Sequence, residues 1–103
     1  MFCVGSKIIF ADGRVAVARN GADIVRILSM NSNITSIACK ADSLALNVEF
    51  SGGAASEICW INADLNEKFT LNVDGITFED VQKIAVCFMD TGEKAAEYAW
   101  EKE

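Results

Sequence analysis

Thiols are the most reactive side chains in this 103-residue chain, which contains four cysteines and no histidine. Cys3, Cys39, Cys59 and Cys87 are separated by 36, 20 and 28 residues. A four-cysteine zinc site usually takes its ligands as close pairs, and a redox-active pair needs two cysteines separated by two residues. The spacing predicts neither kind of site, and we expect no metal and no cofactor.

Sequence neighbours distinguish the four cysteines from one another. Cys3, Cys59 and Cys87 each lie between two large apolar residues, which favours a buried, reduced thiol. Cys39 is followed by Lys40, whose positive charge would favour the thiolate, so Cys39 is the best candidate for a reactive cysteine. A second interpretation, two disulfides in an exported protein, stays open because the cysteine count is even.

Other catalytic patterns are missing from the sequence. Without histidine, neither a Ser–His–Asp nor a Cys–His nucleophile can be built, and no glycine-rich phosphate loop is present. Residues 72–75 resemble part of a calcium loop, but Thr70 and Val81 occupy two positions that need acidic ligands. We expect the protein not to be an enzyme. A small thiol- or carboxylate-dependent enzyme is the alternative.

Charge is divided unevenly along the chain. Residues 1–40 carry a net charge of +3 and residues 41–103 a net charge of −9, which gives −6 overall. Nucleic-acid binding normally requires a basic patch, so we expect no direct nucleic-acid binding. Arg14, Arg19 and Arg26 are expected to neutralise the acidic half, either within one chain or between chains.

Hydrophobic patterning predicts one α+β domain over residues 1–103, with a mainly antiparallel sheet of five or six strands. Runs 7–10 and 14–18 flank Ala11-Asp12-Gly13, and an Asp-Gly pair between such runs is typical of a β-hairpin. Alternation or apolar content predicts the remaining strands at residues 34–40, 44–50, 57–62 and 68–73.

Two or three short helices are expected to pack on this sheet. Apolar residues at helical spacing predict a helix over residues 22–30. Residues 92–102 are rich in helix formers and predict a C-terminal helix. Residues 78–89 fit either a helix with a capping box at Thr77 and Asp80 or a buried central strand, and helix is slightly favoured.

The predicted C-terminal helix carries the candidate partner-binding residues. Glu93, Glu97 and Glu101 would share one edge of that helix, beside Trp100. Like charges four residues apart destabilise a helix, so this edge needs either solvent or a basic partner. Aromatic residues are common anchors in protein interfaces. We therefore predict a docking edge formed by these four residues.

These observations predict a small, acidic, cytoplasmic protein-interaction module without catalytic activity. Its partner would be a protein with a basic surface or a second copy of itself, and one specific form is an inhibitor of a nucleic-acid-binding protein. The alternative to binding is a structural subunit of a homo-oligomeric assembly. The sequence shows no signal peptide and no apolar run of membrane-spanning length, so no membrane association is expected.

Overall fold

The computed structural model describes residues 4–30 and 33–103. Cys3 therefore lies outside the described residues. Within the described residues, seven strands and two helices follow one another: β1 (Val4–Phe10), β2 (Val15–Ala18), α1 (Gly21–Met30), β3 (Ile34–Ala41), β4 (Leu44–Ser51), β5 (Ala54–Asn62), β6 (Glu67–Leu71), α2 (Phe78–Thr91) and β7 (Trp100–Lys102). The expected α+β class is confirmed, with more strands than the five or six expected.

All seven strands belong to one sheet, in the order β2-β1-β3-β4-β5-β6-β7. Every neighbouring pair is antiparallel. The predicted Asp-Gly hairpin joins β1 to β2, where Gly13 has a left-handed φ of 91°. The Phe10 N–H closes this turn by donating to the Arg14 carbonyl oxygen at 2.9 Å.

Helix α2 resolves the ambiguity of residues 78–89 in favour of helix. The Asp80 N–H donates to Thr77 Oγ1, and the Thr77 N–H donates to Asp80 Oδ2, which completes a capping box. Gly92 ends the helix in a left-handed conformation with a φ of 76°. Helix α1 confirms the helix predicted over residues 22–30.

The predicted helix over residues 92–102 is wrong. Gly92 stops α2, and residues 100–102 form β7, which pairs with β6 along the edge of the sheet. The Trp100 indole N–H donates to the Ala95 carbonyl oxygen at 2.9 Å, and the Tyr98 hydroxyl donates to Asp80 at 2.7 Å. Hydrogen bonds to β6 and α2 thus override a helical preference that is marginal in so short a segment.

The core lies between the two helices and one face of the sheet. Strand residues alternate between the two faces, and those facing the helices are almost fully buried, as Ile8, Ile37, Leu46 and Ile58 show. Trp60 belongs to the same layer, and its indole N–H donates to the Gly92 carbonyl oxygen at 2.9 Å. Among the described residues, neither helix has the length and apolar character needed to cross a membrane.

Candidate interaction surface

The second face of the sheet, which we call the open face, carries no helix. Strand pairing defines it, because paired residues in neighbouring strands point to the same side. Lys7 pairs with Val17 of β2 and with Ala38 of β3, and all three are exposed. The next residue in β1, Ile8, points to the helix layer and is fully buried. The sheet therefore has one covered face and one face in contact with solvent.

One corner of the open face exposes large apolar side chains. Ile9 pairs with Val15, and Val17 is the next residue of β2 that points to the same face. The exposed fractions are 38% for Ile9 and 56% for each valine. Solvated sheet faces usually carry polar side chains, so this continuous apolar corner is a candidate interaction surface.

A shallow depression of about 400 Å³ adjoins this corner. Its lining includes the small residues Gly5, Ala38 and Ala45 together with Lys7 and Lys40. A β-carbon added at Gly5 would meet no atom within 4 Å. The depression therefore exists because β1, β3 and β4 carry short side chains at these positions, and it can accept a protruding apolar group.

On the open face, as in the sequence, the earlier strands carry basic residues and the later strands carry acidic residues. Strands β1 and β3 contribute Lys7 and Lys40, whereas β4 and β5 contribute Glu49 and Glu57. None of these four residues takes part in an ion pair with the residues that the structure describes. The centre of the open face therefore has a basic half on β1 and β3, while Glu49 and Glu57 share a second depression with Lys68 of β6.

The far edge of the sheet mixes acidic and basic side chains. Lys68 lies 3.5 Å from Glu103, and Lys102 lies 3.1 Å from Glu67. Basic and acidic side chains are therefore mixed on β6, on β7 and at Glu103. The acidic C-terminal half is therefore partly neutralised by its own lysines.

The four predicted partner-binding residues do not form one surface. Glu101 pairs with Thr70 on the open face, whereas Glu97 borders a groove with residues of α1 and α2 on the helix side. Trp100 is half-buried and points to the helix layer with its pairing partner, Leu71. Glu93 is exposed directly after the Gly92 cap. The docking edge depended on a helix that the structure replaces with a strand.

Cys39 is a core residue, which overturns its interpretation as a reactive thiol. It is 2% exposed and faces the helices, where its thiol donates to the Ser6 hydroxyl oxygen at 3.3 Å. Lys40, as the next residue in the strand, points to the opposite face. Burial raises the pKa of Cys39 to about 11, so the thiol stays protonated and a weak nucleophile at neutral pH.

Within the part of the chain that the structure describes, Cys59, Cys87 and the carboxyl groups show no catalytic arrangement. Burial also raises the pKa of Cys59, and no cluster of three metal-binding side chains occurs among the described residues. The carboxyl groups with a clearly shifted pKa are Asp12, Asp23 and Asp80. Each shifts downward, chiefly through a hydrogen bond from a backbone N–H. A general acid needs the opposite shift.

Known proteins provide no guide to this surface. Neither family models, nor curated proteins, nor solved structures match this chain. The candidate interaction surface therefore depends on geometry and chemistry alone.

We did not predict the apolar corner from the sequence, although the sequence of β2 contains a signal for it. Strand β2 reads Val15-Ala16-Val17-Ala18 and is apolar at every position. A strand with one solvated face should alternate between apolar and polar residues. The continuous apolar residues of this short edge strand were thus a signal that its outward side chains form an exposed apolar surface.

Proposed function

We propose that this protein is a non-catalytic protein-interaction module and that it binds its partner through the open face of the sheet. The supporting observation is the apolar corner formed by Ile9, Val15 and Val17. The helices pack on the opposite face of the sheet, and the corner lies outside the hydrophobic core. Burying it against a partner would remove apolar surface from water, which is the main driving force of protein association.

Charge placement favours the open face over the acidic C-terminal region as the binding surface. The glutamates at positions 93, 97 and 101 point in different directions, and ion pairs neutralise Glu67 and Glu103. An inhibitor that occupies a nucleic-acid-binding groove would need acidic side chains arranged together on one surface. The open face, in contrast, combines apolar contact area with charged groups that form no ion pair among residues 4–30 and 33–103.

A pair of aspartate substitutions tests this proposal. Val17→Asp places a charge in the apolar corner, whereas Met30→Asp places one at an equally apolar but more exposed position, 75% exposed, at the end of α1. Both sites are on the surface, so circular dichroism should show folded protein for both variants. Immobilised wild-type protein and the two variants are then used to isolate binding partners from the producing cells.

The expected result is that Val17→Asp loses the bound partner and Met30→Asp keeps it. Retention of the same partner by both variants would exclude the open face as the binding surface. If wild-type protein binds neither another protein nor a second copy of itself, the proposed function is wrong.

A further inference from the structure

We infer that the partner contributes an extended, acidic segment that adds to the sheet as an antiparallel strand beside β2. This inference rests on the proposed function and names the kind of segment that would contact the apolar corner. It is supported by the free hydrogen-bonding groups of β2, by the contrast between the two edges of the sheet, and by the charge at the β2 end of the molecule.

The outer edge of β2 presents free backbone groups. β2 is the last strand of the sheet on this side, so among the described residues only β1 pairs with it. Across the hairpin, the Phe10 N–H donates to the Arg14 carbonyl oxygen. Because hydrogen-bonded and non-hydrogen-bonded pairs alternate in an antiparallel ladder, Ala16 and the last residue of β2 bond to β1. The N–H and C=O groups of Val15 and Val17 therefore point outward, where another strand can bond to them.

The two edges of the sheet differ in their protection against pairing. Proteins limit unwanted pairing of edge strands with charged side chains or with very short strands. At the far edge, β7 carries Glu101 and Lys102, and Glu103 follows it. β2 has no charged residue, and only its length of four residues limits pairing. The β2 edge is therefore the one suited to accept a strand.

An added strand would also contact the apolar corner. In an antiparallel pair, the residue opposite Val17 exchanges both backbone hydrogen bonds with it and points to the open face, and the same holds for the residue opposite Val15. Apolar side chains at these two positions would pack beside the valines as cross-strand pairs. Main-chain hydrogen bonds would thus provide affinity, and alternate side chains would provide specificity.

The charge at the β2 end favours an acidic segment. Residues 1–40, which include β1, β2 and β3, carry a net charge of +3, and two of their five cations form ion pairs with the two aspartates. The other three, Lys7, Arg19 and Lys40, form no ion pair among the described residues. Lys7 pairs with Val17, and Arg19 directly follows β2. An acidic residue two positions before the one opposite Val17 would lie opposite Arg19.

The same charge disfavours a second copy of the chain as the partner. Pairing of β2 with β2 of another copy would bring together two ends that each carry a net charge of +3. Like charges across an interface oppose association. The partner that fits this edge is therefore a different protein with an exposed acidic strand.

A peptide titration tests the inference. The probe is the heptapeptide Asp-Glu-Thr-Val-Thr-Val-Thr with an acetylated N-terminus and an amidated C-terminus. Antiparallel pairing places its valines opposite Val17 and Val15 and its glutamate opposite Arg19. Two-dimensional NMR of the wild-type protein measures binding and amide hydrogen exchange. We expect the Val15 and Val17 amides to exchange at least about tenfold more slowly with saturating peptide, whereas Ala16 is protected with or without it.

Three controls separate charge from strand pairing. The peptide Lys-Lys-Thr-Val-Thr-Val-Thr should bind at least about tenfold more weakly, because it reverses the charge and keeps the strand pattern. Arg19→Glu should weaken binding of the acidic peptide at least about threefold, whereas Lys83→Glu makes the same change in net charge on α2 and should leave binding nearly unchanged. Val17→Pro removes an outward N–H and no bond to β1, so it should abolish binding. Circular dichroism should show all variants folded.

Each other outcome identifies what has failed. No saturable binding of the acidic peptide overturns the acidic strand, while the proposed function survives if a different protein binds in a Val17-dependent manner. Equal binding of the two peptides overturns the role of charge, and binding that leaves Val15 and Val17 unprotected overturns pairing at β2. Protection of both amides at high protein concentration without peptide would identify a second copy as the partner and overturn the inference.

Discussion

Single residues show how far sequence neighbours differ from spatial neighbours. Lys40 follows Cys39 directly, yet the two side chains point to opposite faces of the sheet because strand residues alternate. A charge that is adjacent in sequence therefore does not act on the thiol. The pattern of residues 34–40 was sufficient to predict a strand, but it did not show which of its faces would be covered.

Thiol labelling tests the placement of Cys39. Its burial and raised pKa predict that native protein at pH 8 reacts with a thiol reagent much more slowly at Cys39 than at Cys87, which is half-buried on α2. Mass spectrometry of peptides after timed labelling measures both sites. Denatured protein is the control, since both thiols should then react at similar rates. Rapid labelling of Cys39 in native protein would contradict its burial.

Gly21 lies where α1 packs against α2. A β-carbon at this position would lie 2.8 Å from Asp90 Oδ1 and 3.0 Å from Val86 Cγ1. Gly21→Ala should therefore lower the free energy of unfolding by about 1 to 3 kcal/mol, as overpacking does. Urea denaturation measures the change.

Gly5→Ala is the matched control for this substitution, because the added methyl group would enter the empty depression on the open face. Its effect should stay within about 0.5 kcal/mol, which is usual for surface sites. Equal effects of the two substitutions would show that α1 and α2 are not in close contact at Gly21.

For the secondary-structure elements, helix-capping residues distinguished helix from strand where hydrophobic periodicity could not. Residues 78–89 were ambiguous from their apolar run, and the capping box identified the correct structure. The segment after Gly92 was predicted as helix from its helix-forming residues, a candidate N-cap at Thr91 and the helical spacing of its apolar residues. These local properties do not show that β6 has an edge with which residues 100–102 can pair. They also do not show the hydrogen bonds that Tyr98 and Trp100 donate in the folded chain.

The cap of α2 should make stability dependent on pH. Hydrogen bonds from the Thr77 N–H and then the Tyr98 hydroxyl hold the pKa of Asp80 below its ordinary value of 3.8. Because the pKa is lower in the folded state, ionised Asp80 stabilises the fold above pH 3.8. This contribution is lost as the pH falls through the folded-state pKa.

Asp80→Asn tests this contribution. The variant should unfold at a lower urea concentration than wild type at pH 7, and the difference should shrink as the pH falls below 3.8. Glu79→Gln removes a charge from the same helical turn without disturbing the capping box, and it should cost less at pH 7. A difference for Asp80→Asn that is constant with pH would contradict the role of its charge.

For the whole molecule, the sequence predicted the class and most strands but not the uncovered face. Counts of apolar residues do not reveal whether a sheet has helices on one side or on both. Only the pairing register places Ile9, Val15 and Val17 together, and register depends on contacts between distant residues. The full candidate site therefore could not be predicted from the sequence, although the uninterrupted apolar residues of β2 pointed to part of it.

Paired valine substitutions distinguish the two faces of the sheet. Val48 is 1% exposed and faces the helices, whereas Val17 is 56% exposed on the open face. Val48→Thr buries a hydroxyl group and should lower the free energy of unfolding by about 1 to 3 kcal/mol. Val17→Thr should change it by less than about 0.5 kcal/mol.

Urea denaturation of both variants, at a protein concentration low enough to keep the chain monomeric, gives the two values. A large loss for Val17→Thr under those conditions would mean that the apolar corner stabilises the monomer rather than an interface.

The two indole rings give the chain a built-in optical reporter. Trp60 and Trp100 are its only tryptophans, and each donates its N–H to a backbone carbonyl between residues 92 and 95. The Lys94 ammonium group also lies 3.9 Å from the centre of the Trp60 ring. Intrinsic fluorescence will therefore follow detachment of the last dozen residues, and opening of the β1–β2 hairpin will leave the emission unchanged.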